Sequence, residues 1–213
     1  LSRLKLICSG QRPLLLSSVI HDDNSALSID LTNADIEPPS LYPIARDTIA
    51  ISRTKFLWNA ASYERIALRN YDTVKRLVSI ELLFDADFVD LFEVRGMPRA
   101  KRGQISIKRT ATDAIQYVYD GLDGVRRRTT LTFTPMPKRL DLHRAVFERV
   151  LEAGERATIL VTAAFDESDE PQQPISFHSA YRAKRRASRS DTENIATIES
   201  SNPLFDELMC RST

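Results

Sequence analysis

The chain has 213 residues, with 30 lysines and arginines against 29 aspartates and glutamates. A chain of this length can bury about 70% of the surface it exposes when unfolded, so folding requires neither a disulfide nor a metal. The formal charge of +1 excludes the strongly basic surface of a dedicated nucleic-acid-binding domain. No apolar run approaches the 18 residues that a membrane-spanning helix needs, so no membrane association is predicted.

The two ends of the chain bear on its cellular context. It begins Leu1-Ser2-Arg3, without a Met and without the basic and apolar segments of a signal peptide. We therefore expect a piece of a longer, cytoplasmic protein. The cysteines, Cys8 and Cys210, show no spacing typical of a disulfide framework or of a metal site. We interpret them as two reduced thiols, and a single bridge between them is the open alternative.

Hydrophobic alternation with a period of two runs through most of the chain. It is clearest at residues 27–32, 78–84, 129–134 and 157–163. Alternate side chains of a strand lie on opposite faces, so this pattern predicts strands with one buried face. Weaker alternation predicts seven further strands, at residues 3–8, 14–20, 48–58, 63–70, 104–110, 114–120 and 144–151.

Turn signals rich in Asn, Asp, Pro and Gly separate these strands, for example at residues 22–24, 37–39, 70–72 and 135–137. The strands do not alternate with amphipathic helices of 10–15 residues, so a doubly wound α/β fold is not expected. About eleven short strands predict antiparallel sheets that bury one face each against the other. The predicted fold class is all-β, an antiparallel β-sandwich of the super-sandwich kind over residues 1–172.

The pattern changes after residue 166. Residues 166–174 are polar, acidic and closed by prolines, which is typical of a loop. Residues 176–190 carry Phe177 and Tyr181 among many basic side chains, and form either a short basic helix or an ordered crossing segment. The pair Asn202-Pro203 predicts the start of a helix, with Asn202 as the N-cap. We therefore expect residues 173–213 to be a linker and the start of a helical domain that is not present in the chain.

One acidic cluster follows a predicted strand and contains four carboxylates: Asp85, Asp87, Asp90 and Glu93. A calcium loop is disfavoured, because Asp90 stands where the turn glycine is needed and Gly96 where the bidentate Glu is needed. A glycosidase pair of carboxylates is a second possibility, but sequence spacing does not give the distance it requires. The favoured interpretation is a strand end whose carboxylates bind turn amides or pair with Arg95.

A basic segment follows the acidic cluster. It contains Arg95, Arg99, Lys101, Arg102, Lys108 and Arg109, with no acid between Glu93 and Asp113. A single-stranded nucleic acid platform would also need interleaved aromatics, and residues 96–109 contain none. A solvated loop or a domain-docking surface is favoured. The candidates for docking, or for the border of a substrate cleft, are Asp85, Asp87, Asp90, Glu93, Arg95, Arg99 and Arg102.

Sugar binding would use exposed flat aromatics. Tyr117 and Tyr119 share a strand face with Ile115, which favours the core, so Trp58 and Tyr63 are the carbohydrate-contact candidates. The three histidines have no partner at ligand spacing, and neither a nucleophile elbow nor a phosphate loop is present. We therefore predict no metal site and no cofactor.

Several stretches together resemble the N-terminal domain of bacterial glycogen debranching enzymes of the amylo-α-1,6-glucosidase type. The most specific is Phe84-Asp85-Ala86-Asp87-Phe88 with its Arg95-Gly96 end; the supporting stretches are residues 12–18, 30–35, 53–58, 63–65 and 119–125. The resemblance implies a β-sandwich that precedes an (α/α)₆-toroid glycoside hydrolase domain of the same polypeptide, which acts on α-glucan. The family's general acid and base belong to that toroid, so no catalytic residue is assigned to this chain. The alternatives are a stand-alone carbohydrate-binding module and a protein-interaction module.

Overall fold

A computed structural model describes residues 1–21, 25–36, 43–97, 99, 101–167, 174–193, 200–202, 204–206 and 208, apart from the side chains of 189–193. The turns expected at 22–24 and 37–39, and Cys210, lie outside these residues. The elements are β1 (Arg3–Cys8), β2 (Leu14–Ile20), β3 (Leu27–Thr32), β4 (Ile49–Trp58), β5 (Ala61–Asn70), β6 (Arg76–Asp85), α1 (Leu91–Val94), β7 (Gln104–Ala111), β8 (Ala114–Asp120), β9 (Arg126–Thr134), β10 (Arg139–Asp141), β11 (Arg144–Leu151), β12 (Arg156–Asp166) and α2 (Phe177–Glu193).

The strands form two antiparallel sheets. The small sheet has the order β1-β6-β11-β10, and the large sheet has the order β2-β3-β4-β5-β12-β9-β8-β7. This confirms the predicted all-β sandwich. Each of the eleven predicted strands is present at or within a few residues of its expected position. The strand that the sequence missed, β10, has three residues, which is too short for alternation to be visible.

The main core lies between the two sheets. Aromatic rings join the layers: the centroids of Phe84 in the small sheet and Phe133 in the large sheet are 5.4 Å apart, and Phe147 lies 6.1 Å from Phe133. All three side chains are almost completely buried. The strands that contribute to this core do so through one face, which is the physical reason for the alternation in their sequence.

A second apolar cluster lies on the outer face of the large sheet, beneath α2. Phe177, Ala180 and Tyr181 have the i, i+3, i+4 spacing of one helix face and pack on Phe56 and Tyr63. The centroid of Phe177 lies 5.1 Å from that of Phe56. The stretch expected at residues 176–190 is thus part of a helix of 17 residues, one of the two forms expected.

Near the C-terminus the chain is helical at residues 204–206 and at 208. Asn202 caps this segment, because its Oδ1 accepts a hydrogen bond of 3.1 Å from the N–H of Leu204. Cys8 is a free, buried thiol, and burial raises its pKa to about 11. Within the described residues, none of the helices has the length and apolar character needed to span a bilayer.

Replacing Ala60 by glycine is expected to stabilise the protein. Asn59 and Ala60 form the two-residue turn between β4 and β5 with φ of 44° and 50°, the left-handed region that disfavours a Cβ. We expect Ala60→Gly to raise the free energy of unfolding by about 0.5–1 kcal/mol. Chemical denaturation measures this change. In the matched control Ala67→Gly, in the middle of β5, glycine should instead lower it by about 0.5–1 kcal/mol; equal effects of the two substitutions would contradict the turn geometry.

Candidate docking surface

The connection between β6 and β7, residues 86–103, leaves the sheet and carries α1; we call it the excursion. The start of α1 is closed by a reciprocal cap. Asp90 Oδ1 accepts a hydrogen bond of 2.8 Å from the N–H of Glu93, and Glu93 Oε2 accepts one of 3.2 Å from the N–H of Asp90. This is the capping box that an acid followed three residues later by Glu can form. Two of the four clustered carboxylates therefore stabilise the backbone of the excursion.

The same two carboxylates pair with arginines that follow α1 in the excursion. Arg99 binds Asp90, and Arg102 Nε donates to Glu93 Oε1 over 2.8 Å. The N–H of Glu93 and then Arg99 hold the pKa of Asp90 below its usual range, and the guanidinium of Arg102 does the same for the pKa of Glu93. These bonds link residues nine apart and tie the two arms of the excursion together.

The remaining candidates of this segment have local partners. Asp85 Oδ1 accepts a hydrogen bond of 2.9 Å from the N–H of Ala86, and Asp87 Oδ1 accepts one of 3.2 Å from the N–H of Val89. His143 Nδ1 lies 3.6 Å from Asp85 Oδ1. Arg95 ends α1 with an exposed side chain. Among the residues that the structure describes, no group of three or more His, Cys, Asp or Glu side chains is placed to hold a metal ion.

Aromatic stacking fixes the excursion on the large sheet. The ring of Phe88 stacks on Tyr119 of β8 at 5.3 Å between centroids and an interplanar angle of 13°. The N–H of Gly103, at the other end of the excursion, donates to the Tyr119 hydroxyl over 3.1 Å. Phe88 has a φ of 50°, which costs a bulky residue about 1–2 kcal/mol and is sustained by this contact. One tyrosine therefore anchors both ends.

The outer end of the excursion is apolar and exposed. We call its four side chains, Leu91, Phe92, Val94 and Met97, the excursion tip; their exposed fractions run from 59% to 73%. Isolated exposed apolar side chains are common in proteins, whereas here four lie within seven residues of the chain. The sequence interpretation stressed the charges around this tip and passed over the tip itself.

Removing Arg102 is expected to shift the titration of Glu93. The hydrogen bond from Arg102 is the main cause of the lowered pKa, so Arg102→Gln should move the Glu93 pKa upward toward its ordinary value of 4.5. Because the folded-state pKa is depressed, the stabilisation is present above the unfolded pKa and is lost as the pH falls through the folded value. Carboxyl NMR titration measures the shift. Lys138→Gln, which removes a partner of Glu148, is the control; a Glu93 pKa that Arg102→Gln leaves unchanged would contradict the pairing.

The two carbohydrate-contact candidates, Tyr63 and Trp58, differ in how exposed their rings are. Tyr63 is 1% exposed and stacks on Phe56 at 5.0 Å, so it offers no ring face to a sugar, and that expectation is wrong. The cause is α2, which covers the outer face of β5. Trp58 is half-buried at the end of β4 and lines a cavity of about 400 Å³ together with Leu57 and Phe165. It remains a candidate.

Trp58 and the excursion do not form one site. The excursion is anchored on β8, and Trp58 ends β4, four strand positions away in the large sheet. At about 4.8 Å per strand, this places them about 19 Å apart across the sheet. The structure therefore separates the docking candidates from the carbohydrate-contact candidates.

The fold and this surface define a class: a two-sheet antiparallel β-sandwich with a C-terminal helix on its large sheet and an anchored, apolar-tipped excursion. The chain belongs to the family of N-terminal domains of (some) glycogen debranching enzymes, which matches residues 1–162. No curated protein sequence matches it significantly.

Comparison with solved structures finds similar proteins of distant sequence. A protein described as a kojibiose phosphorylase from the human microbiome superposes with a TM-score of 0.55 at 9% identity, over 99% of this chain and 27% of that one. The chain thus spans about a quarter of the length of that protein. An aldose 1-epimerase-like protein of Escherichia coli K12 superposes with a TM-score of 0.39 at 8% identity, over 74% of this chain and 69% of that one.

Proposed function

We propose that this chain is a non-catalytic accessory domain of a glycogen debranching enzyme of the amylo-α-1,6-glucosidase type. In this proposal it packs on the (α/α)₆ glycoside hydrolase domain of the same polypeptide, and residues 173–213 link the two. The family assignment supports the first statement. The observation that carries the second is the excursion tip, an apolar patch held on a rigid base.

The construction of the excursion suits a docking element. Burial of apolar surface stabilises an interface by about 25 cal/mol per Å², and Phe92 is the largest side chain of the tip. The capping box, the two ion pairs and the Phe88–Tyr119 stack order the tip before any partner arrives. Preorganisation of this kind lowers the conformational entropy lost on association. The exposed arginine Arg95 then forms part of a polar rim around the apolar centre.

The electrostatics of the acidic cluster argue against catalysis by this chain. A glycosidase general acid needs a raised pKa so that it holds its proton near neutral pH. The pKa values of Asp90 and Glu93 are lowered instead, and both carboxylates are bound by arginines and by backbone amides. We therefore expect the isolated chain not to hydrolyse branched α-glucan. Turnover by the chain alone at a rate comparable to that of the full-length protein would overturn the non-catalytic assignment.

Substitution of Phe92 tests the docking role. We expect Phe92→Asp to weaken binding between this chain and the separately expressed remainder of the polypeptide at least tenfold, because a central aromatic of an interface typically contributes more than about 1.4 kcal/mol. Leu122→Asp, in the turn between β8 and β9 and equally exposed, is the matched control and should change the affinity little. Calorimetry measures both dissociation constants. Equal affinities of the two variants would contradict docking through the tip.

A carbohydrate-binding module is the second candidate, favoured by Trp58 beside its 400 Å³ cavity. Indole rings supply a flat apolar face on which sugar rings can pack. This function predicts that the isolated chain binds maltooligosaccharides or glycogen and that Trp58→Ala reduces the affinity. Absence of binding heat in a calorimetric titration would exclude it.

A further inference from the structure

A second feature is a cleft whose lining residues lie outside the excursion. It has a volume of about 640 Å³ and lies where the edge strand β1 of the small sheet passes β3 and β4 of the large sheet. Four of the residues that line it are basic: Arg3, Lys5, Arg12 and Arg53. None of its lining residues is acidic. These four cations come from β1, from the loop before β2 and from β4, so the fold brings them together.

Arg53 contributes a guanidinium that is only partly satisfied. Its Nε donates to Glu64 over 2.5 Å, and Lys55 Nζ lies 3.1 Å from the same carboxylate. One buried carboxylate thus faces two cations. The Nη2 atom of Arg53 is buried and has no hydrogen-bond partner in the described part of the chain. The Nε atoms of Arg65, Arg69 and Arg144 share this property in the described residues, and a buried donor of this kind can be satisfied by water or by a bound molecule.

The other three cations form no direct ion pair in the described residues, although Arg3 lies opposite Asp85 in the β1–β6 ladder. No ion pair shorter than 4.0 Å is formed by Arg3, Lys5 or Arg12 within the residues that the structure describes, whereas some other cations, such as Arg76 with Asp72, are paired. Like charges that surround one opening repel each other, and concave walls of low dielectric strengthen their combined potential. An anion bound in the cleft would relieve this repulsion.

We propose that the cleft binds a phosphate group, either inorganic phosphate or the phosphate of a small sugar. Guanidinium groups match the oxygens of phosphate with paired hydrogen bonds, and Lys5 adds a point charge. A doubly charged phosphate suits this number of cations better than a single carboxylate does. The volume also accommodates a sugar ring against the apolar wall of Leu4, Leu31 and Pro13. The phosphate site does not depend on the docking or catalytic role of the protein.

Calorimetry on the full-length protein that carries this chain tests the proposal. Inorganic phosphate and glucose 6-phosphate are titrated separately at constant chloride concentration. We expect the double variant Lys5→Gln/Arg12→Gln to bind at least tenfold more weakly than the wild type, and the loop variant Arg12→Gln alone to bind about threefold more weakly. Neither substitution touches the Glu64 ion pairs, and circular dichroism verifies the fold.

The matched control removes two surface cations elsewhere, Arg46→Gln/Lys138→Gln, and should leave the affinity within twofold of the wild type. Tighter binding of glucose 6-phosphate identifies a sugar phosphate as the ligand, and equal binding identifies inorganic phosphate. The proposal is overturned if the wild type binds neither compound, or if the two double variants lose affinity equally, since the effect would then be general charge screening.

Discussion

Replacement of Glu64 by alanine is expected to destabilise the sandwich by about 3–5 kcal/mol. Glu64 is 2% exposed, lies directly opposite Lys55 in the β4–β5 ladder, and receives the guanidinium of Arg53. Its removal leaves Arg53, 12% exposed, and Lys55, 28% exposed, without their shared counterion. Removing one partner of a buried ion pair is costly because the remaining charge is neither hydrated nor compensated. Urea denaturation of the chain measures the loss in the free energy of unfolding.

An exposed pair provides the control for Glu64. Glu148 binds Lys138, whose side chain is largely exposed, over 2.5 Å. Solvent screens such pairs, so Glu148→Ala should cost less than about 1 kcal/mol. A cost below 1 kcal/mol for Glu64→Ala as well would show that the inner charges are hydrated, and would contradict the burial of Glu64.

Replacement of Asn70 by alanine is expected to cost about 3 kcal/mol. This side chain is completely buried at the end of β5, and its Nδ2 lies within hydrogen-bond distance of the carbonyls of Val74, Leu151 and Glu152, at 2.8, 3.0 and 3.1 Å. Its Oδ1 accepts a hydrogen bond of 2.8 Å from the N–H of Asp72. One amide therefore closes the β5–β6 turn and joins it to the end of β11. Without it, several backbone groups lose their partner.

The variant Asn70→Asp distinguishes these hydrogen bonds from simple loss of packing. Aspartate has nearly the same shape and keeps the acceptor, but it removes both donors and places a negative charge beside the three carbonyls. We expect Asn70→Asp to destabilise the protein at least as much as Asn70→Ala does, as measured by thermal unfolding. An aspartate variant close to wild-type stability would show that the donor contacts contribute little.

The sandwich could be predicted from the sequence because burial of one sheet face imposes a period of two on every long strand. The alternation in burial runs from Val78 to Phe84 in β6 and from Thr129 to Phe133 in β9. The period of two does not show what covers the outer face of the sheet. Tyr63 was therefore expected to be exposed, whereas α2 buries it. A helix that packs through Phe177, Ala180 and Tyr181 alone offers only a short amphipathic signal among basic residues.

The role of the acidic cluster could be predicted in part. The spacing of Asp90 and Glu93 is that of a capping box, and the favoured interpretation had carboxylates binding turn amides. The partners Arg99 and Arg102 could not be chosen from the basic segment, because pairing depends on how the chain turns back after α1. The stacking of Phe88 on Tyr119 depends on the path of the chain in space, and hydrophobic periodicity does not predict that path.

The excursion tip could have been predicted from its apolar residues, but the sequence interpretation considered only the charged residues around it. Leu91, Phe92 and Val94 are apolar within a helix too short to bury them in its own domain. The basic cleft has no such pattern in the sequence. Arg3, Lys5, Arg12 and Arg53 are spread over three elements, and only the passage of β1 along the large sheet brings them to one opening.

Hydrogen–deuterium exchange at residues 91–97, compared between the full-length protein and this chain alone, tests the accessory-domain account most directly. The amides of Val94, Arg95, Gly96 and Met97 are hydrogen-bonded within a short exposed helix, so they should exchange rapidly in the isolated chain. Docking of the tip on the catalytic domain predicts that these amides exchange at least tenfold more slowly in the full-length protein, while those of the β8–β9 turn at residues 121–125 do not change. Equal exchange of residues 91–97 in the two proteins would contradict the account.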